Sequence, residues 1–122
     1  MRSAGRRRRV LIIEDYREIA ETLRQLLLLL GYDVRVASDG LSGVAVAREW
    51  EPDVVLCDIG LPRLDGFGVA SALRSSKAHL VAITAYGDEE TRQRAETSGF
   101  EQVLVKPADP DHVIELLGFR DQ

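Results

Sequence analysis

Apolar residues along this chain fall into two patterns. Val10–Ile13, Val54–Cys57, Leu80–Ile83 and Val103–Val105 are short solid runs. Runs of this length, rich in β-branched residues, predict strands buried on both faces, as in a parallel sheet. Asp33–Ala37 alternates and is more polar, which predicts a fifth strand nearer an edge. Between the runs, apolar residues recur at helical spacing. Ile19, Leu23, Leu26, Leu27 and Leu30 form one stripe, predicting a helix over residues 16–30 with Asp15 as N-cap, Glu18 completing a capping box and Gly31 just past the end. Leu28 and Leu29 fall off that stripe, so at least one faces solvent. A lone exposed leucine is ordinary; a docking spot for a partner helix is the alternative. Further helices are expected over 41–50, stopped by Pro52, and over 67–74. Another spans 88–97 and is polar enough to lie largely exposed. A last helix is capped by Asp109 or Asp111, with Val113, Ile114, Leu116 and Leu117 apolar.

Strand and helix thus alternate five times with short connections and no repeated motif. That predicts an α/β fold: a parallel sheet covered by helices on both sides through right-handed crossovers. The polar second strand favours the order 2-1-3-4-5, with the switch point between strands one and three. Three runs end in charge. Ile13 is followed by Glu14 and Asp15, Cys57 by Asp58, and Val105 by Lys106. Strand ends beside a switch point share one crevice, so these groups are expected to converge there.

Carboxylates brought that close repel one another and persist with a cation. Oxygen ligands with no neighbouring His or Cys select a hard ion, Mg²⁺ being the expected one. Lys106 and Thr84 would stand on the rim, where an ammonium and a hydroxyl suit a phosphoryl group. With no Ser-His or Cys-His pair, the available nucleophile is a carboxylate.

Taken in order, Ile13-Glu14-Asp15, Pro52-Asp53-Val54-Val55-Leu56-Cys57-Asp58-Ile59-Gly60-Leu61-Pro62 with Asp65-Gly66, Ala82-Ile83-Thr84-Ala85, Gly99-Phe100 and Leu104-Val105-Lys106-Pro107 resemble the response-regulator receiver domains of two-component and phosphorelay signalling. The resemblance runs from Val10 to about Leu117 and implies a flavodoxin-like, doubly wound (βα)5 fold. It implies that Asp58 is the phosphoacceptor, attacking the phosphorus of a phosphohistidine on a sensor histidine kinase or histidine phosphotransfer domain. Asp15 and Asp58 would bind Mg²⁺ directly, Glu14 through water, and Gly60 through its backbone carbonyl. Thr84 would be the switch hydroxyl, Lys106 the lysine that pairs with Asp58 and then with the phosphoryl group, and Lys106–Pro107 a cis bond. Such a domain catalyses only its own phosphorylation and dephosphorylation and is not a turnover enzyme.

Two positions depart from or tune the family pattern. Val103 stands where the family usually has Tyr or Phe, which implies weaker or different coupling to the face of helix four and strand five. It also motivates the alternative of a degenerate receiver acting as a phosphorylation-independent interaction module. Gly60 and Tyr86 flank the acceptor and imply hydrolysis that is not fast. Other chemistries fit less well. No Gly-x-x-x-x-Gly-Lys is present, and a phosphatase of the haloacid-dehalogenase type needs an Asp where this chain has Gly60. His79 and His112 are isolated and read as surface or packing residues.

Composition narrows the setting. At 122 residues, 45% apolar and 30% charged, the chain is expected to form one globular domain. The expected division is a basic flexible tail over 1–9, the receiver over 10–118 and a C-terminal tail over 119–122. Lone Cys57 excludes an internal disulfide. The absence of a long apolar run or secretory pattern makes the cytoplasm the default location and a membrane role unexpected. The net charge of −4 hides an asymmetry: residues 1–9 hold five arginines and no acid, leaving eleven basic against twenty acidic residues elsewhere. With nothing aromatic interleaved, the basic block reads as a solvated tail rather than a nucleic-acid site. A monomer or weak dimer is expected. The closing stretch and basic lead-in resemble receivers joined C-terminally to hybrid histidine kinases.

Overall fold

A computed structural model describes residues 7–106 and 110–121. The expected alternation is present as β1 (Arg9–Ile13), α1 (Arg17–Leu29), β2 (Asp33–Ala37), α2 (Gly40–Trp50), β3 (Val54–Asp58), α3 (Gly66–Ala72), β4 (His79–Thr84), α4 (Glu89–Ser98), β5 (Gln102–Val105) and α5 (Pro110–Asp121). All strand pairs are parallel, in the order β2-β1-β3-β4-β5. The polar β2 is indeed an edge, and β5 is the other.

Side chains alternate across the sheet with the period of two that a strand imposes. Leu11, Ile13, Val55, Cys57, Leu80 and Ala82 pack on one face, under Val44, Ala47, Val69, Ala70 and Ala95 of α2, α3 and α4. Val10, Ile12, Val54, Leu56, Val81 and Ile83 pack on the other, under Ala20, Leu23 and Leu27 of α1 and Val113 and Leu117 of α5. β1, β3 and β4 are apolar on both faces because helices cover both, which is why they read as unbroken runs.

Three expectations need correcting. The N-cap of α1 is Tyr16, not Asp15, and no side chain caps it. Glu14 takes the Tyr16 N–H at 3.0 Å instead, leaving Asp15 outside the helix. Leu30, placed on the core stripe, is 45% exposed because the helix has ended by Leu29, and Ala20 fills the core place the stripe omitted. The fourth strand starts one residue before the expected Leu80: His79 lies inside β4, and of its two expected roles the packing one holds, since it is buried, with Nε2 3.1 Å from Gln102 Oε1 and Nδ1 2.8 Å from Glu101 Oε2. The expectation of an exposed leucine after Leu27 holds: Leu28 and Leu29 are both exposed.

The sheet also begins earlier than Val10. Arg9 belongs to β1, donating its N–H to Asp53 Oδ2 at 2.8 Å and a guanidinium N–H to the Trp50 carbonyl at 2.5 Å. Arg8 Nε lies 3.8 Å from the same Asp53 carboxylate. Asp109 and the Lys106–Pro107 bond lie outside the described residues, as does the start of the basic tail.

Candidate functional site

The carboxyl ends of β1, β3, β4 and β5 open on one side of the molecule. β1 delivers Glu14 and Asp15 there, and β3 delivers Asp58. Paired registers Ile13↔Cys57 and Asp58↔Ile83 hold these ends level. The loop after β3 turns back tightly. Gly66 donates its N–H to the Ile59 carbonyl at 2.8 Å, and a Cβ at Gly66 would lie 2.7 Å from the Asp58 carbonyl oxygen. Only glycine permits that approach. Asp65 then caps α3, accepting from Gly68 N–H at 2.9 Å, as its turn chemistry predicts.

Each of Glu14, Asp15 and Asp58 offers a carboxylate oxygen within 4.8 Å of the others. Glu14 and Asp58 are buried and Asp15 is exposed. Lys106, just after β5, sets its Nζ 3.0 Å from Glu14 Oε1 and 3.4 Å from Asp58 Oδ1. The Lys106 N–H bonds the Thr84 carbonyl at 2.7 Å, which fixes β5 against β4 at this end. Gly60 N–H reaches Asp58 Oδ1 at 3.4 Å, and the space a Gly60 side chain would take is open. Thr84 is buried on the rim, with its hydroxyl accepting from Tyr86 N–H at 3.0 Å, within its own loop. The structure thus gathers Glu14, Asp15, Asp58 and Lys106 directly, with Gly60 and Thr84 at the margin.

The charges do not balance. Burial raises the pKa of Glu14, and the Asp58 charge adds to that, while the Tyr16 N–H and the Lys106 hydrogen bond oppose it. Burial works against the Lys106 ammonium, but its hydrogen bond to Glu14 and the two carboxylate charges outweigh this and hold its pKa above the usual lysine value. Among the described residues, one ammonium against three acids leaves a surplus of negative charge and unfilled oxygen lone pairs. Such a donor set fits a hard divalent cation. Cys57, directly before Asp58, has its pKa pushed up by burial and by the neighbouring acids, so it stays a thiol.

Sequence reasoning missed the Tyr16 amide that holds Glu14 and the Gly60 amide at Asp58. Both are backbone donors set by the turn after a strand, and no side-chain pattern announces them.

Comparison with known proteins agrees with this arrangement. Residues 10–118 match the family model described as the response regulator receiver domain. The chain belongs to that family. This receiver domain of two-component signalling is 34% identical over 110 residues to the DNA-binding dual master transcriptional regulator RpaA of Synechocystis sp., covering 87% of this chain and 46% of that protein. It is 39% identical over 102 residues to the transcriptional regulatory protein PdtaR of Mycobacterium tuberculosis, covering 82% and 50%. The receiver therefore spans about half the length of the curated relatives it matches. Its fold superposes on the Vibrio cholerae chemotaxis protein CheY4 with a TM-score of 0.88 at 27% identity, covering 93% of this chain and 98% of that one. Among the described residues, no helix is long and apolar enough to cross a membrane.

Proposed function

We propose that this receiver accepts a phosphoryl group on Asp58 from a phosphohistidine of a histidine kinase or histidine phosphotransfer domain. The observation that carries the reading is a buried acceptor carboxylate with an ammonium at 3.4 Å and two further acids within 4.8 Å. Asp58 supplies the nucleophilic oxygen. As its O–P bond forms, the N–P bond of the donor breaks; the electron pair stays on the imidazole nitrogen, which takes up a proton. Lys106 neutralises charge on Asp58 beforehand and on the phosphoryl oxygens afterwards. Thr84 offers its hydroxyl proton to a phosphoryl oxygen from the rim. Asp15, Asp58 and Glu14, with the Gly60 carbonyl, are the groups that would hold Mg²⁺. When bound, that ion offsets the carboxylate charge and the charge on the transferring phosphoryl oxygens. The same residues serve hydrolysis, in which water attacks the phosphorus, the Asp58 O–P bond breaks and inorganic phosphate leaves, so the domain resets itself.

Incubation with Mg²⁺ and acetyl phosphate tests this. The expected product is a phosphoprotein stable in acid and labile in base, absent from Asp58→Asn and strongly reduced in Lys106→Ala. Absence of label in the wild type, or label that survives Asp58→Asn, overturns the proposal.

A further inference from the structure

The loop after β4 is fastened at Gly87. Its carbonyl accepts from Arg92 Nε, on α4, at 3.1 Å. Its Cα lies beneath β5: a Cβ there would come within 2.8 Å of Val105 Cγ2, and the nearest atoms all belong to Val105. Asp88 follows at once and caps α4, accepting from the Thr91 N–H at 3.1 Å and the Thr91 hydroxyl at 2.8 Å. Gly87 is therefore a joint where the loop meets both a helix and an edge strand.

The other end of the loop is the Thr84 hydroxyl. A hydroxyl has one proton and two lone pairs. Tyr86 N–H uses a lone pair and leaves the proton free to donate. If the Thr84 side chain swings its oxygen toward Asp58 to donate that proton to a phosphoryl oxygen, the Tyr86 N–H must follow its acceptor or lose it. Little holds Tyr86 back, since its side chain is 70% exposed. The displacement then reaches Gly87. Val103, by contrast, is packed against the buried cluster under α2, α3 and α4.

We infer that Arg92 is a positioning residue that ties the state of the Thr84 loop to α4 through the Gly87 carbonyl, with the Gly87–Val105 contact carrying it to β5. The inference rests on Asp58 as the phosphoacceptor. Arg92 is exposed, so its bond sets where the loop rests and contributes little to folding.

The test is amide NMR on the full ¹⁵N-labelled chain, titrated with beryllofluoride and Mg²⁺ as a mimic of the acyl phosphate. In the wild type, amides at residues 14, 15, 58, 60 and 106 move, and so do those of α4 and β5. In Arg92→Ala, the first group still moves, while the α4 changes fall by roughly half or more. Arg92→Lys keeps a donor and a charge and retains them. Gly87→Ala presses a methyl against Val105 and reduces the β5 response. An α4 response that is unchanged in Arg92→Ala, or lost equally in Arg92→Lys, overturns the inference. If no amide near Asp58 moves in the wild type, the acceptor reading itself fails, and this is visible before any variant is made.

Discussion

Glu14 is nearly closed to water yet faces two other acids, and that placement dictates how the site responds to pH. Its folded pKa lies above the ordinary glutamate value of 4.5. Ionising it therefore costs more in the folded chain than in the unfolded one. Without a divalent cation, the stability linked to Glu14 is fully present below pH 4.5 and is lost as pH rises through the folded pKa. Thermal melts in EDTA should show wild type losing Tm relative to Glu14→Gln across that interval. At the proposed Mg²⁺ site the ion would compete with the same proton, so its affinity in calorimetric titrations should climb with pH over that range and flatten in Glu14→Gln. Lys106 acts at the alkaline end: its contribution is fully present below pH 10.5 and is lost as pH rises through its raised pKa. Asp58→Asn removes one acid from a cluster with a single ammonium, so in EDTA it should stabilise the fold by about 1 kcal/mol. At Gly60 the open space lets an asparagine enter without a clash. Gly60→Asn should hydrolyse its acyl phosphate several-fold faster than the wild type, followed by loss of label, because it can position an attacking water.

Helix α1 shows most clearly what a sequence reveals about an element and what it hides. Its existence, its length within a few residues and the buried places of Leu23 and Leu27 follow from spacing alone. Its first residue does not: Glu14, a site residue, takes the Tyr16 N–H, and the helix starts one residue later than an Asp15 cap would place it, with no side-chain cap. Leu27 is fully buried and Leu29 is 87% exposed, so Leu27→Ala should cost about 3 kcal/mol in chemical denaturation and Leu29→Ala close to nothing. The strands were legible because burial on both faces leaves only apolar residues. The acids were legible because each ends such a run. What pattern could not supply was any contact made through backbone groups or across distant segments, such as Gly87 on Val105 or Asp53 on Arg9. Nor could spacing distinguish Asp88 inside a helix from Asp88 as its cap. The cap depresses the Asp88 pKa through its bonds to Thr91, so its stabilisation is present above pH 3.8 and is lost as pH falls through the folded value. The Tm difference between wild type and Asp88→Ala should close as acid is added.

At the scale of the whole molecule the two ends of the sheet differ in kind. At the end away from the acids, Asp53 joins three strands: its carboxylate takes the Arg9 N–H, its own N–H bonds the Arg9 carbonyl at 2.8 Å, and its carbonyl takes the His79 N–H at 2.9 Å. The opposite end holds the unbalanced carboxylates. A cation that binds the folded chain alone stabilises it by mass action, about 2.7 kcal/mol at a hundred times its Kd. Mg²⁺ should therefore raise the Tm of the wild type by several degrees and leave Asp15→Asn nearly unmoved. Cys57 lies between these ends, inside β3 and one residue from Asp58, the proposed acceptor. The lone thiol is in effect a clock wired into the centre of the sheet. A disulfide reagent can reach it only in molecules whose middle strand has opened, so its labelling rate counts those excursions. Any ion or phosphoryl mimic that steadies Asp58 should slow that clock, with no dye, tag or substitution needed to read it.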